Sequence, residues 1–103
     1  MSKLIIKLSP ATLRMSLIGI DHDNGALANF VRVSLNLWEP TPAFHVYFSG
    51  SEAAEEAYDL TNNPARQEER EERYGRGRSV SIGDVVEVDG ANFLCGLTGW
   101  VEL

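Results

Sequence analysis

Five of the nine basic residues, Arg66, Arg70, Arg73, Arg76 and Arg78, fall within thirteen positions, with Tyr74 among them. A guanidinium fork grips phosphate or carboxylate through two parallel hydrogen bonds, and a tyrosine ring between such forks offers a stacking surface. Glu68, Glu69, Glu71 and Glu72 are interleaved with the arginines and nearly cancel their charge. A mixed-charge surface for a protein partner therefore fits this segment better than a phosphate-tracking groove does. Trp38, Tyr47 and Trp100 add large aromatic side chains of the kind that anchor protein interfaces, although each could equally cover a small core. The expected binding residues are Arg70, Arg73, Tyr74, Arg76, Arg78 and Trp100.

Other chemistry finds less support. His22 sits between Asp21 and Asp23, but neither it nor His45 has zinc-motif spacing, and the Asp21–Gly25 run does not continue as a calcium loop. Cys95 is the single thiol. It lies in a predicted strand, where a small buried hydrophobe is the simple reading, and His45 is its only candidate base. Ser79 and Ser81 lack a hydrolase nucleophile signature. Gly75-Arg76-Gly77-Arg78 lacks the Lys-Ser/Thr ending of a nucleotide-phosphate loop. Asp84 and Glu87 need geometry before they can be paired as acid and base. No catalytic residue, metal or cofactor is expected. The carboxylates Glu52, Glu55, Glu56, Asp59, Glu68, Glu69, Glu71 and Glu72 could face a basic groove as a DNA mimic, but the five arginines make that imitation poor.

The chain has 103 residues and a formal net charge of −6. That length suits one domain, residues 1–103, with the charged helix and Gly/Arg loop of residues 64–78 inside it. The negative balance gives no general attraction to nucleic acid or anionic membrane. One cysteine closes no intrachain disulfide, and the apolar run before Pro10 is far shorter than the roughly 20 residues of a membrane helix. The expectation is a cytoplasmic protein of a host cell, with no membrane partner.

The elements that would position these residues alternate between two periods. Leu4 to Leu8 reads as a strand ended by Pro10, residues 11–20 fit either helix or strand, and residues 21–25 read as a polar turn. Phe30 to Trp38 alternates as a strand, with Val31, Val33, Leu35 and Leu37 on one face. After the Pro40 and Pro42 break it would pair with a second strand over Ala43 to Phe48. Ser49 or Ser51 caps a helix from Glu52, with an apolar stripe of Ala53, Ala57 and Leu60. Asn62 or Asn63 caps a second, almost stripe-free helix with Pro64 first, running to Arg73. Val80 to Val88, Phe93 to Leu97 and Trp100 to Leu103 then read as β, with turns at Gly83-Asp84 and Asp89-Gly90. An α+β fold follows: a small curved antiparallel sheet, partly closed, with one or two helices packed on one face.

The stretch Gly77 to Gly90, with Phe93-Leu94-Cys95 and the closing Gly99 to Leu103, resembles the C-terminal part of the YodL-like domain of bacterial, plasmid and phage accessory proteins. In that family a tyrosine-containing approach leads into an Arg-Ser-hydrophobic-Ser-hydrophobic-Gly/Ser-Asp-Val-Val core. Tyr74 and Arg78 through Val86 match it, and the match covers the last third of the chain. The resemblance brings no reaction and no catalytic residues. It implies a mobile-element accessory protein acting on a host system. From the residues themselves, Asp84 would brace its turn beside a polar ridge of Arg78, Ser79 and Ser81. The leading expectation is a noncatalytic module that binds and modulates a host protein through the segment 64–78. DNA or RNA binding through Arg66–Arg78 is the alternative, and homodimerisation through an open sheet edge stays open.

Overall fold

A computed structural model describes residues 1–14, 17 and 24–103. Of residues 11–20, which fit either period, 11–14 and 17 are described and Ala11–Leu13 form one 3₁₀ turn; Asp21, His22 and Asp23 lie outside the described residues. In chain order the elements are β1 (Ser2–Leu8), α1 (Asn24–Ser34), β2 (Glu39–Pro40), β3 (Phe44–Val46), α2 (Gly50–Asn62), α3 (Gln67–Arg73), β4 (Val85–Val88), β5 (Ala91–Cys95) and β6 (Trp100–Glu102). The fold is α+β, as the sequence predicts. Among the described residues six strands form one antiparallel sheet in the order β2-β1-β4-β5-β6, with β3 sharing β1's outer edge with β2. The sheet is open rather than closed.

Period-two alternation sends the side chains of each strand to opposite faces. On one face Leu4, Ile6, Phe44, Val46, Val86, Val88, Phe93 and Cys95 pack against Ala53, Ala54, Ala57 and Leu60 of α2. On the other, Val85 and Leu94 pack against Leu27, Ala28 and Val31 of α1, with Trp38 and Leu17. Among the described residues α1 and α2 cover opposite faces and α3 packs on α2, where the sequence suggested one or two helices on a single face. The small side chains of α2 let its axis approach the sheet closely, and α3 lies against α2 with no buried residue of its own.

Phe30 to Trp38 is not a strand. Residues up to Ser34 are helical, and Leu35–Leu37 add a 3₁₀ turn. Both periods fit the apolar positions here, but burial decides between them. Leu27, Val31 and Trp38 face inward at helical intervals, while Val33 is 82% exposed and Leu37 53%. The expected pairing of this segment with residues 43–48 goes with it, since Phe44–Val46 pair with Leu4–Ser2 of β1.

The remaining hairpin is set by its turn. Asp89 (φ +48°) and Gly90 (φ +91°) form the two-residue connection of β4 to β5, a conformation in which Gly carries no steric penalty and Asp is among the more tolerant residues. Asp89 is fastened further by Lys3, whose N–H donates to its carboxylate at 2.9 Å and whose carbonyl accepts from its N–H at 3.0 Å.

Candidate functional site

The arginine-rich segment is stitched into the molecule. The Arg66 guanidinium meets three carboxylates: Glu56 through both terminal nitrogens at 2.8 Å, Asp59 at 2.8 Å, and Glu69 at 2.9 and 3.0 Å. These bonds clamp α3 to α2, push the Arg66 pKa well above its ordinary value, and hold the Glu69 carboxyl below its own. Arg70 turns inward, donating to the Thr61 carbonyl at 2.6 Å, to Ser79 Oγ at 3.0 Å and to the Gly77 carbonyl. Thr61 lies in the last turn of α2, where carbonyls lack helical partners and the helix dipole favours a cation. Ser79 Oγ donates to the same carbonyl at 2.6 Å, and Asn62 Nδ2 reaches the Val80 carbonyl at 2.9 Å.

Tyr74 is buried beneath Arg70, whose Cζ stands 5.7 Å from the ring centroid, and its hydroxyl donates to the Arg78 carbonyl at 2.6 Å. Burial raises its pKa. Arg78 closes on Asp84, a fully buried carboxylate, at 2.6 and 2.9 Å. Asp84 also accepts from the N–H and Oγ of Ser9 at 2.8 and 3.0 Å, and from the N–H and Oγ of Ser81 at 2.8 and 3.1 Å. Six donors thus converge on two oxygens. Hydrogen bonding to Asp84 is the main cause that raises the Arg78 pKa. The Arg78–Asp84 core of the segment is a structural lock between the loop, β1 and the start of β4. Two arginines of the cluster stand further out: Arg76 is exposed, and Arg73 makes one 3.6 Å contact with Glu69.

Of the six expected binding residues, Arg70, Tyr74 and Arg78 spend their polar groups on the fold, and Arg73 and Arg76 remain at the surface. Trp100 stands apart from all five. Its indole N–H donates to Glu55 Oε2 of α2 at 2.8 Å, and its ring lines a cleft of about 190 Å³ with Tyr58, Ile82, Cys95 and Leu97. Ile82, Leu97 and Tyr58 are each more than a third exposed. Glu55 also borders a shallower depression lined by Phe48, Glu52, Glu56 and Asp59. The sequence marked Trp100 and the carboxylates Glu52, Glu55, Glu56 and Asp59, but not the apolar side chains beside them. Ile82 and Leu97 read as strand residues, and only an apolar side chain left outside the core would have marked them.

Cys95 lies at the cleft wall, and burial pushes its thiol up to about 12, which keeps it protonated and a poor nucleophile at neutral pH. Among the described residues no three His, Cys, Asp or Glu side chains gather as a metal site, and no helix is long and apolar enough to cross a membrane. Of the other aromatic candidates, Trp38 is buried with its N–H on the Gly83 carbonyl at 2.9 Å, and Tyr47 is 84% exposed. No family model, curated protein or solved structure matches this chain.

Proposed function

We propose that this chain is a noncatalytic accessory protein of a phage or plasmid that binds and modulates a host protein in the bacterial cytoplasm. The carrying observation is the cleft beside Trp100, where a tryptophan and a tyrosine, residue types enriched at interface hot spots, share one surface with two exposed aliphatic side chains and Glu55. The resemblance of Arg78–Val86 to the YodL-like core supports the mobile-element origin. The contact surface moves from the 64–78 segment to this cleft, because Arg66, Arg70 and Arg78 are occupied within the fold. The same occupancy weakens the nucleic-acid alternative, which is left with Arg73 and Arg76 beside four glutamates.

The test is affinity capture from bacterial lysate, with and without nuclease. Wild type is compared with an Ile82→Ser/Leu97→Ser variant and an Arg73→Ala/Arg76→Ala variant. A stoichiometric protein that survives nuclease, is lost with the cleft variant and is kept by the arginine variant is the expected result. Capture abolished by nuclease, or absent throughout, overturns the proposal.

A further inference from the structure

The two depressions beside α2 share Glu55, and neither lining contains a lysine or arginine. Glu52, Glu55, Glu56 and Asp59 follow one another at i, i+3, i+4 and i+7, which stacks them along one face of α2. Arg66 neutralises part of that charge through Glu56 and Asp59. Glu52 forms no ion pair among the described residues, and Glu55 accepts only the neutral indole N–H of Trp100, so both carboxylates keep their charge facing outward. The apolar side chains Phe48, Tyr58, Ile82, Leu97 and Trp100 therefore share one surface with the carboxylates of α2.

Size narrows the occupant. The Trp100 cleft, about 190 Å³, is smaller than the roughly 300–1,000 Å³ of small-molecule pockets and suits one inserted side chain, while the adjoining depression of about 410 Å³ lies wide open to solvent. Charge narrows it further. Phosphates would be repelled, and a second copy docked by this same face would set Glu52 and Glu55 against their own equivalents. Lysine or arginine side chains would gain carboxylate partners along α2 and a ring to stack on at Phe48 or Trp100.

We infer that this face, the docking surface proposed above, takes a cationic amphipathic segment of a protein partner. One apolar side chain enters the Trp100 cleft, and neighbouring lysines or arginines meet Glu52 and Glu55. The inference rests on the interaction reading but adds a chemistry that reading does not require.

A phage-displayed library of random dodecapeptides, selected on the immobilised full chain, tests it. Enriched peptides should carry an aromatic or aliphatic residue flanked by at least two lysines or arginines. Synthetic versions should lose at least tenfold in affinity for Ile82→Ser/Leu97→Ser. They should lose about fivefold for Glu52→Gln/Glu55→Gln, with a shallower salt dependence. The Glu55→Gln change retains an oxygen acceptor for the Trp100 indole, and Glu52 is exposed, so the charge variant keeps its fold. Enrichment of neutral or acidic peptides that still need Ile82 and Leu97 would overturn the charge inference and leave the docking surface standing. No enrichment, or cationic peptides that bind both variants as well as wild type, would overturn the inference altogether; the lysate capture then judges the interaction reading separately.

Discussion

Arg78 and Asp84, six residues apart in one loop, meet through two hydrogen bonds of 2.6 and 2.9 Å around a carboxylate with no solvent exposure. The sequence places Arg78 among the expected binding residues, yet its guanidinium bonds this chain's own aspartate. Ser9, some seventy-five residues away, completes the same site from the end of β1.

Breaking that pair should be among the most damaging single changes in the chain. Arg78→Ala leaves a buried carboxylate without its counter-charge, which typically costs about 3–5 kcal/mol, a large share of the roughly 5–15 kcal/mol that holds a domain folded. Arg78→Lys keeps the charge but not the two-pronged geometry and should fall between Ala and wild type. Urea unfolding midpoints of the three proteins give the order directly.

The arginines of the cluster should separate into two classes. Arg70→Ala removes donors to Thr61, Ser79 and Gly77 and should cost about 1–3 kcal/mol, whereas Arg73→Ala/Arg76→Ala should stay within about 0.5 kcal/mol of wild type. Thermal unfolding of both variants checks this. Equal destabilisation would contradict the inward role assigned to Arg70.

Alkaline pH should weaken the fold. The Cys95 thiol is pushed up to about 12, while an unfolded thiol ionises near ~8.5. Below the unfolded value both states hold the proton and nothing changes. From there up to about 12 the native chain binds more protons than the unfolded one, so stability falls as pH rises. Tyr74, raised by burial, adds a loss of the same sign at higher pH. Unfolding midpoints measured from about pH 7 to 11 should decline, and Cys95→Ala should flatten the decline without abolishing it. A profile identical in the two proteins would assign the loss elsewhere.

Gly83 and Gly90 offer a matched comparison, since both have φ above +90°. A β-carbon at Gly90 meets nothing within 4 Å, but one at Gly83 would stand 2.9 Å from a methyl of the buried Leu17. Gly90→Ala should cost the backbone term alone, about 1–3 kcal/mol. Gly83→Ala should cost clearly more, and equal melting temperatures for the two variants would show that Leu17 yields freely.

Local signals were legible where one residue decides the geometry. Asn63 accepts from the Ala65 N–H ahead of Pro64, and the Ala53, Ala57 and Leu60 stripe lies against the sheet, as their spacing implies. The segment from Phe30 to Trp38 was not legible, because its apolar residues satisfy both periods until tertiary burial selects one. The arginines were illegible for a different reason. Arg70's partners, the Thr61 and Gly77 carbonyls and Ser79 Oγ, lie within nine residues of it, but only the turn from α2 into α3 and the loop after α3 bring them to one point, and Arg78 needs Ser9 from beyond β1 as well. Ile82 and Leu97 likewise become surface residues only once the sheet has taken its core from their neighbours.

β1 sits in the interior of the sheet, with β4 as its partner some eighty residues further along the chain. During synthesis Leu4 and Ile6 are made some eighty residues before the strand that pairs them. Until then only the short β2 and β3 can shield one side of β1. β4 feeds Val86 and Val88 into one core and Val85 into the other, so neither core closes before it arrives. A nascent chain that stalls before Val85 must carry an apolar strand with one edge unpaired, which makes its handling by chaperones and proteases, rather than any property of the finished domain, the stage most sensitive to how fast the chain between β1 and β4 is made.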